Sequence, residues 1–299
     1  MGVVLRLASE FLRMSPVERL RGLLADGLVV APTIFDALSA RLVRESGLPA
    51  CFMSGFGIAA TRFGLPDTGL IAAGEMIETL RLICAANPGF PVLADADTGY
   101  GNAMNVRRTV VEYARAGAAA VMIEDQEFPK RCGHMTGKRV VSVAEATMRI
   151  RAAVDARADS GLDILIIGRT DARAPEGYAA ARDRLLAYAE AGADILFFEA
   201  SETNEELQDF CALSPKPAMV NMVPGGRTPM LPPATLAALG ARVALYNPTL
   251  FAAIPAMQNA LAALRAGDPL GPPVLAEFSE VCRLTGVADY QCLADRYAV

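Results

Sequence analysis

The chain repeats one local grammar: a helix-forming run, a glycine, then a short apolar run that ends in an acid. Tyr113-Ala-Arg-Ala-Gly-Ala118 leads into Val121-Met-Ile-Glu124, and Tyr188-Ala-Glu-Ala-Gly-Ala193 leads into Leu196-Phe-Phe-Glu199. A glycine after a helical run suits the left-handed position that ends a helix. An uninterrupted apolar run of four or five residues suits a strand buried on both faces. Gly47 before Ala50–Ser54 and Gly240 before Arg242–Leu245 repeat the pattern.

Every run of this kind is a candidate strand: Leu28–Pro32, Ala50–Ser54, Pro91–Asp95, Ala120–Ile123, Ile164–Arg169, Ile195–Phe198, Ala218–Asn221 and Arg242–Leu245. Helical patterns separate them, which implies parallel pairing through right-handed crossovers. Eight such units in roughly 250 residues predict an α/β fold, a closed (β/α)8 TIM-type barrel with additional C-terminal helices. A doubly wound open sheet is the alternative. No low-complexity linker divides the chain, so residues 1–299 read as a single barrel domain with 267–299 as a helical extension. Within it, Pro269, Pro272 and Pro273 precede helical stretches near Leu275–Thr285 and Ala288–Tyr297.

The content of 299 residues, 53% hydrophobic, is ample for a large core. A net charge of -5, with no basic run beyond pairs such as Lys130-Arg131, argues against nucleic acid. Six scattered cysteines without a CxxC pair fit a reducing cytoplasm. The N-terminal apolar stretch carries Arg6, Glu10 and Arg13, unlike a signal peptide. Residues 243–264 are apolar but broken by Asn247, Pro248, Pro255, Gln258 and Asn259, which argues against a membrane span.

In a barrel of this kind the chemistry sits at the C-terminal ends of the strands. There the sequence places Ser54-Gly55, Asp95-Ala-Asp97-Thr-Gly99-Tyr-Gly101, Glu124-Asp125, Arg169-Thr-Asp171, Glu199 and Asn221. Any one of these could be a helix cap or a surface carboxylate; six strand ends together point to a site. Asp95, Asp97 and Glu124 offer hard oxygens with no histidine or cysteine beside them, so the expected ion is Mg2+, with Mn2+ possible. Alternation in an extended segment would put Asp95 and Asp97 on one face, with Asp97 the direct ligand. Alternatively, the segment is a tight loop whose acids cap the next helix.

Lys130-Arg-Cys-Gly-His134 contains the only histidine of the chain, two residues from a cysteine. Its composition suits a lid over an anionic substrate, with Lys130, Arg131, Lys138 and Arg139 attracting carboxylates. Cys132 could deliver a proton, although neighbouring cations would favour its thiolate. An ordinary basic loop with an incidental thiol is the plainer alternative.

These residues, with Phe52-Met-Ser-Gly55, Leu65-Pro-Asp67, Ile123-Glu-Asp-Gln126, Gly168-Arg-Thr-Asp-Ala172 and Phe198-Glu-Ala200, resemble the isocitrate lyase and phosphoenolpyruvate mutase superfamily over about residues 15 to 255. The KRCGH stretch is similar to the lyase branch, which includes 2-methylisocitrate lyase and 2,3-dimethylmalate lyase; mutases and phosphonopyruvate hydrolases typically carry no cysteine there. The resemblance implies a metal held directly by Asp97, with Asp67, Asp95 and Glu124 in its outer shell. It implies substrate contacts from Ser54, Gly55, Phe52, Arg169, Asn221, Gly133 and His134. Lys130, Cys132 and His134 would come from a gating loop and act with Arg169, and Glu199 would orient basic groups. It further implies a cytoplasmic homotetramer with an exchanged last barrel helix, acting on a small carboxylate. Phe52 and Val223 depart from the tyrosine and the hydroxyl residue usual in methylisocitrate lyases. The expected activity is Mg2+-dependent carbon–carbon cleavage of a 2-hydroxy di- or tricarboxylate to a 2-oxo acid. Hydrolysis or decarboxylation of oxaloacetate, mutase chemistry, and a silent dicarboxylate-binding scaffold are the rivals.

Overall fold

A computed structural model describes residues 14–268 and 275–298; the stretch with Arg6, Glu10 and Arg13, and Pro269, Pro272 and Pro273, lie outside them. The strands are β1 Val29–Ile34, β2 Cys51–Met53, β3 Val92–Asp95, β4 Ala120–Glu124, β5 Leu165–Thr170, β6 Ile195–Phe198, β7 Ala218–Met222 and β8 Val243–Tyr246. They pair in sequence order, every pair parallel, and β8 returns to β1 to close the barrel. The doubly wound alternative is thereby excluded, because an open sheet leaves its two edge strands unpaired. Gly117 and Gly192 stop their helices at φ 100° and 103°, in the left-handed region the repeat predicts.

Side chains alternate between two cores, as period-two geometry requires. Val29, Ala31, Phe52, Leu93, Met122, Ile167, Phe197, Met219 and Leu245 fill the barrel with Val17 and Leu20 of helix Pro16–Asp26. Cys51, Met53, Val92, Val121, Ile166, Leu196, Phe198 and Val220 face the surrounding helices. Ser15 and Glu18 form a capping box that starts helix Pro16–Asp26, and Arg21 binds Asp163 in the turn before β5. This helix therefore lies at the N-terminal end and leaves the opposite end for polar groups.

Stepping each inward row two residues further gives Thr33, Ser54, Asp95, Glu124, Arg169, Glu199, Asn221 and Asn247. Every strand thus delivers one polar residue to the same layer above the apolar interior.

The chain divides into two compact units, 1–247 and 248–299. The second holds helices Pro248–Arg265, Phe278–Thr285 and Val287–Asp295. The apolar residues 243–264 split between β8 and the first of these helices, and among the described residues no helix is long and apolar enough to cross a membrane.

Candidate active site

Asp95 organises one side of the layer. Its Oδ2 accepts from Gly55 N at 3.1 Å and its Oδ1 from Asp97 N at 3.0 Å, so it joins the end of β2 to the loop after β3. Ser54 Oγ accepts from Gly57 N and caps the short helix Gly55–Ile58, while Phe52 lies beneath in the apolar interior. Asp97 is not on an extended segment as alternation predicted; its φ of 47° turns the loop back, and its carbonyl accepts from Glu124 N at 2.9 Å. That turn brings Asp97 to Glu124 by tertiary contact. Gly99 permits it, since a Cβ there would fall 2.4 Å from Val106 Cγ2.

Lys130 is buried and reaches this acidic cluster. Its ammonium lies 2.7 Å from Asp97 Oδ1 and binds Asp67. Burial pushes the Asp97 carboxyl up to about 6 against the pull of Lys130. Burial likewise pushes Glu124 well above the usual carboxylate range, opposed chiefly by Arg169. Glu124 Oε1 is buried with no hydrogen-bond partner, and Asp97 Oδ1 meets only the Lys130 ammonium. Among the described residues no three His, Cys, Asp or Glu side chains converge into a closed metal cage. Two under-used carboxylate oxygens nevertheless fit a hard divalent cation that keeps several waters and takes few protein ligands.

Arg169 occupies the centre. Nε is 2.8 Å from Asp171 Oδ2 and 3.3 Å from Glu124 Oε2, and Nη1 is 4.0 Å from Glu199 Oε2. The guanidinium lies 5.3 Å from the Phe197 ring centre. Burial opposes ionisation of Asp171, but Arg169 and Lys138 hold its pKa far below the usual range. Asp125 braces this corner by accepting from Thr170 Oγ1, Asp171 N and Tyr188 OH.

On the far side Asn221 Nδ2 faces both oxygens of Glu199 at 3.5 Å. Its Oδ1 accepts from Asn247 Nδ2 at 3.1 Å, and Asn247 Oδ1 accepts from Thr33 Oγ1 at 3.0 Å. Sequence reading missed Thr33 and Asn247 because it ended strands one and eight at Pro32 and Leu245. Carrying the period of two one step further would have found both.

The loop after β4 closes over this layer. Its base is pinned where Gln126 bridges to Val140 and Glu127 N donates to Arg139 O at 2.9 Å. Gly133 packs so closely that a Cβ would lie 2.4 Å from Glu199 Oε1 and 2.5 Å from Arg169 Nη2. His134 Nδ1 accepts from Arg227 N at 3.0 Å, which leaves the proton for Nε2, 3.1 Å from Glu199 Oε1. Burial works against Glu199, yet Arg169 and His134 keep it below the ordinary carboxylate value. A cleft of about 510 Å³ beside Lys130 runs between Thr68, Leu70 and this loop.

Two sequence expectations about the loop require correction. Lys138 and Arg139 do not await substrate: Lys138 is buried on Asp171, and Arg139 binds Glu127 in solvent. Nor do cations turn Cys132 into a thiolate. Burial first, then Asp67 and Glu199, push the thiol up to about 11, outweighing the His134 N–H and Arg169. The reasons differ: Lys138 and Arg139 are already met by carboxylates, whereas Cys132 is held as a thiol chiefly by burial.

A family model described as phosphoenolpyruvate phosphomutase matches residues 20–265. The 2,3-dimethylmalate lyase of Eubacterium barkeri is 42% identical over 289 residues, 95% of this chain and 99% of that protein. The 2-methylisocitrate lyase of Salmonella typhimurium is 43% identical over 220 residues, 73% of this chain and 74% of that protein. Among solved structures, an oxaloacetate acetylhydrolase bound to the inhibitor 3,3-difluorooxalacetate superposes with a TM-score of 0.91 at 35% identity, covering 95% of this chain and 97% of that one.

Proposed function

The chain belongs to the phosphoenolpyruvate mutase/isocitrate lyase superfamily, and from that premise we propose that it is a divalent-cation-dependent carbon–carbon lyase acting on a substituted 2-hydroxy dicarboxylate. The observation that carries the reading is the place of Cys132: a half-buried thiol, raised above its ordinary pKa by burial, on a loop packed against Arg169 and Glu199.

Asp97 and Glu124, with Asp67 and Asp95 beside them, would hold Mg2+ or Mn2+. When bound, the cation supplies positive charge at the hydroxyl and carboxylate oxygens of the substrate. Arg169 and Asn221 hold the carboxylate of the 2-oxo acid half, with Ser54 and Gly55 lining the same wall. The hydroxyl gives up its proton to water, the C2–O bond becomes a carbonyl, and the C2–C3 bonding pair leaves on C3. Cys132 delivers a proton to that carbon, and the resulting thiolate is reprotonated before the next turnover. Glu199 keeps His134 and Arg169 in register, and Lys130 balances the carboxylates. No side chain is assigned as the base, because position 52 carries phenylalanine.

A dicarboxylate suits the site better than a tricarboxylate, because the nearby cations are already engaged. Lys130 serves Asp67 and Asp97, Lys138 serves Asp171, Arg131 donates to Thr136 O at 3.2 Å, and Arg227 binds Glu202 at 3.0 Å. A third carboxylate would be buried without a partner, which is costly.

The test is release of a 2-oxo acid from 2,3-dimethylmalate with Mg2+, read by a coupled dehydrogenase. No release from a set of 2-hydroxy di- and tricarboxylates, at any divalent metal, would end this reading. A second reading, hydrolysis of oxaloacetate to oxalate and acetate, is favoured by the likeness to oxaloacetate acetylhydrolase. Incubation with oxaloacetate and measurement of oxalate separates the two.

We place the protein in a reducing, cytoplasmic setting, supported by six free cysteines. Assembly as a homotetramer is supported by exposed apolar residues at helical spacing on Pro248–Arg265, namely Ile254, Met257, Leu261 and Leu264. Burying such a stripe against another copy recovers about 25 cal/mol per Å². The chain functions in this reading as one barrel domain with a helical extension, every catalytic candidate preceding Pro248.

A further inference from the structure

Lys138 has no part in the chemistry above, yet its side chain is completely buried. A buried ammonium is stable only where a carboxylate meets it, and here that carboxylate is Asp171, with Oδ1 at 2.8 Å. The same ammonium donates to the carbonyl of Gly133, in the middle of the Cys132–His134 segment. Asp171 is not a private partner. Its Oδ1 also accepts from Arg169 Nη2 at 3.1 Å and its Oδ2 from Arg169 Nε at 2.8 Å. Gly133 in turn rests on Arg169 and Glu199 with no room for a Cβ. Lifting the loop would therefore strip Lys138 of Asp171, free the Gly133 carbonyl, and leave Arg169 with a differently loaded carboxylate.

We infer that Lys138 is a positioning residue: through Gly133 it clasps the Cys132-bearing segment to the barrel, and through shared Asp171 it sets that segment and the Arg169 guanidinium in one register. Loop closure and placement of the substrate-holding arginine are then a single event. The kinetic consequence rests on the lyase reading; the clasp itself does not.

The experiment is iodoacetamide labelling of the full chain without substrate, with each cysteine followed by mass spectrometry. Exposed Cys292 is the reference for reagent, and fully buried Cys51 reports that the protein stays folded. Lys138→Gln should raise Cys132 labelling relative to Cys292 by about tenfold, the scale of a lost hydrogen bond to a charged group. Where the lyase assay works, the same variant should lose about 100-fold in kcat with a much smaller change in KM, because the segment is misplaced rather than removed. Lys138→Arg keeps the charge but shifts the donors, and should label at an intermediate rate. Wild-type labelling of Cys132 in folded Lys138→Gln overturns the clasp. If that variant does not fold, wild-type labelling in Lys138→Arg overturns it equally. Absence of lyase activity in the unmodified protein strikes the functional reading alone and leaves the labelling result standing.

Discussion

Asn247 donates from Nδ2 to Asn221 Oδ1 at 3.1 Å, and this contact decides which end of the Asn221 amide faces the site. With Oδ1 occupied, Nδ2 is left as a donor toward Glu199 and toward any substrate oxygen beside it. Asn247→Asp replaces the donor with an acceptor and removes the reason for that orientation. Loss of one such buried contact costs about 1–3 kcal/mol, so kcat/KM for the substrate should fall about 10- to 100-fold. Steady-state kinetics check this, and an unchanged kcat/KM would show that Asn221 orients itself.

Cys132→Ser should retain the fold and substrate binding while kcat drops by about 100- to 10,000-fold, the usual span of general acid contributions. Because burial pushes the thiol up to about 11, it should be the protonated donor throughout neutral pH. Its labelling by iodoacetamide should be slow at pH 8 and climb toward pH 11. Fast labelling at pH 7 would mean that a thiolate is present and the acid role is wrong.

Asp97→Ala should abolish metal-dependent turnover and weaken Mg2+ binding, both measurable by titration calorimetry and assay. Protons compete for the same carboxylate, so Mg2+ affinity should decline as pH falls through about 6. In chelated protein the sign for stability is fixed. The folded pKa lies above the ordinary 3.8, so the stabilising contribution is full below 3.8 and lost as pH rises through about 6. Lowering pH from 7 to 5 in EDTA should therefore raise the melting temperature of wild type relative to Asp97→Asn. A difference that does not move with pH would refute the raised carboxyl.

Substrate size is the fourth prediction. In the lyase reading, Val223 and Pro224, which follow β7, would present an isopropyl group and a nitrogen with no N–H to a third carboxylate. With Arg131, Arg227, Lys130 and Lys138 engaged elsewhere, kcat/KM should favour 2,3-dimethylmalate over 2-methylisocitrate, and Val223→Thr should narrow the gap. Efficient cleavage of 2-methylisocitrate by the unmodified enzyme would show that this wall has been misread.

The barrel was legible in the sequence because hydrophobic burial is a local pattern: runs buried on both faces, punctuated by helix-stopping glycines, leave little choice of fold. Six strand-end clusters were legible for the same reason, since a polar residue closing an apolar run interrupts that pattern. Thr33 and Asn247 escaped because the candidate strands Leu28–Pro32 and Arg242–Leu245 stop one and two residues short of them, whereas the folded strands run on to Ile34 and Tyr246. What the sequence could not decide was which charges meet. Lys130 and Lys138 read as free cations for substrate, but folding brings them to Asp67, Asp97 and Asp171 in the segments that follow β2, β3 and β5. Cys132 read as a proton donor whose neighbouring cations would favour the thiolate, and burial tips that balance toward the thiol. Ion pairing and desolvation depend on distance and depth, which tertiary structure sets and sequence order does not record; that is why the polar strand ends of the candidate site were readable and their partners were not.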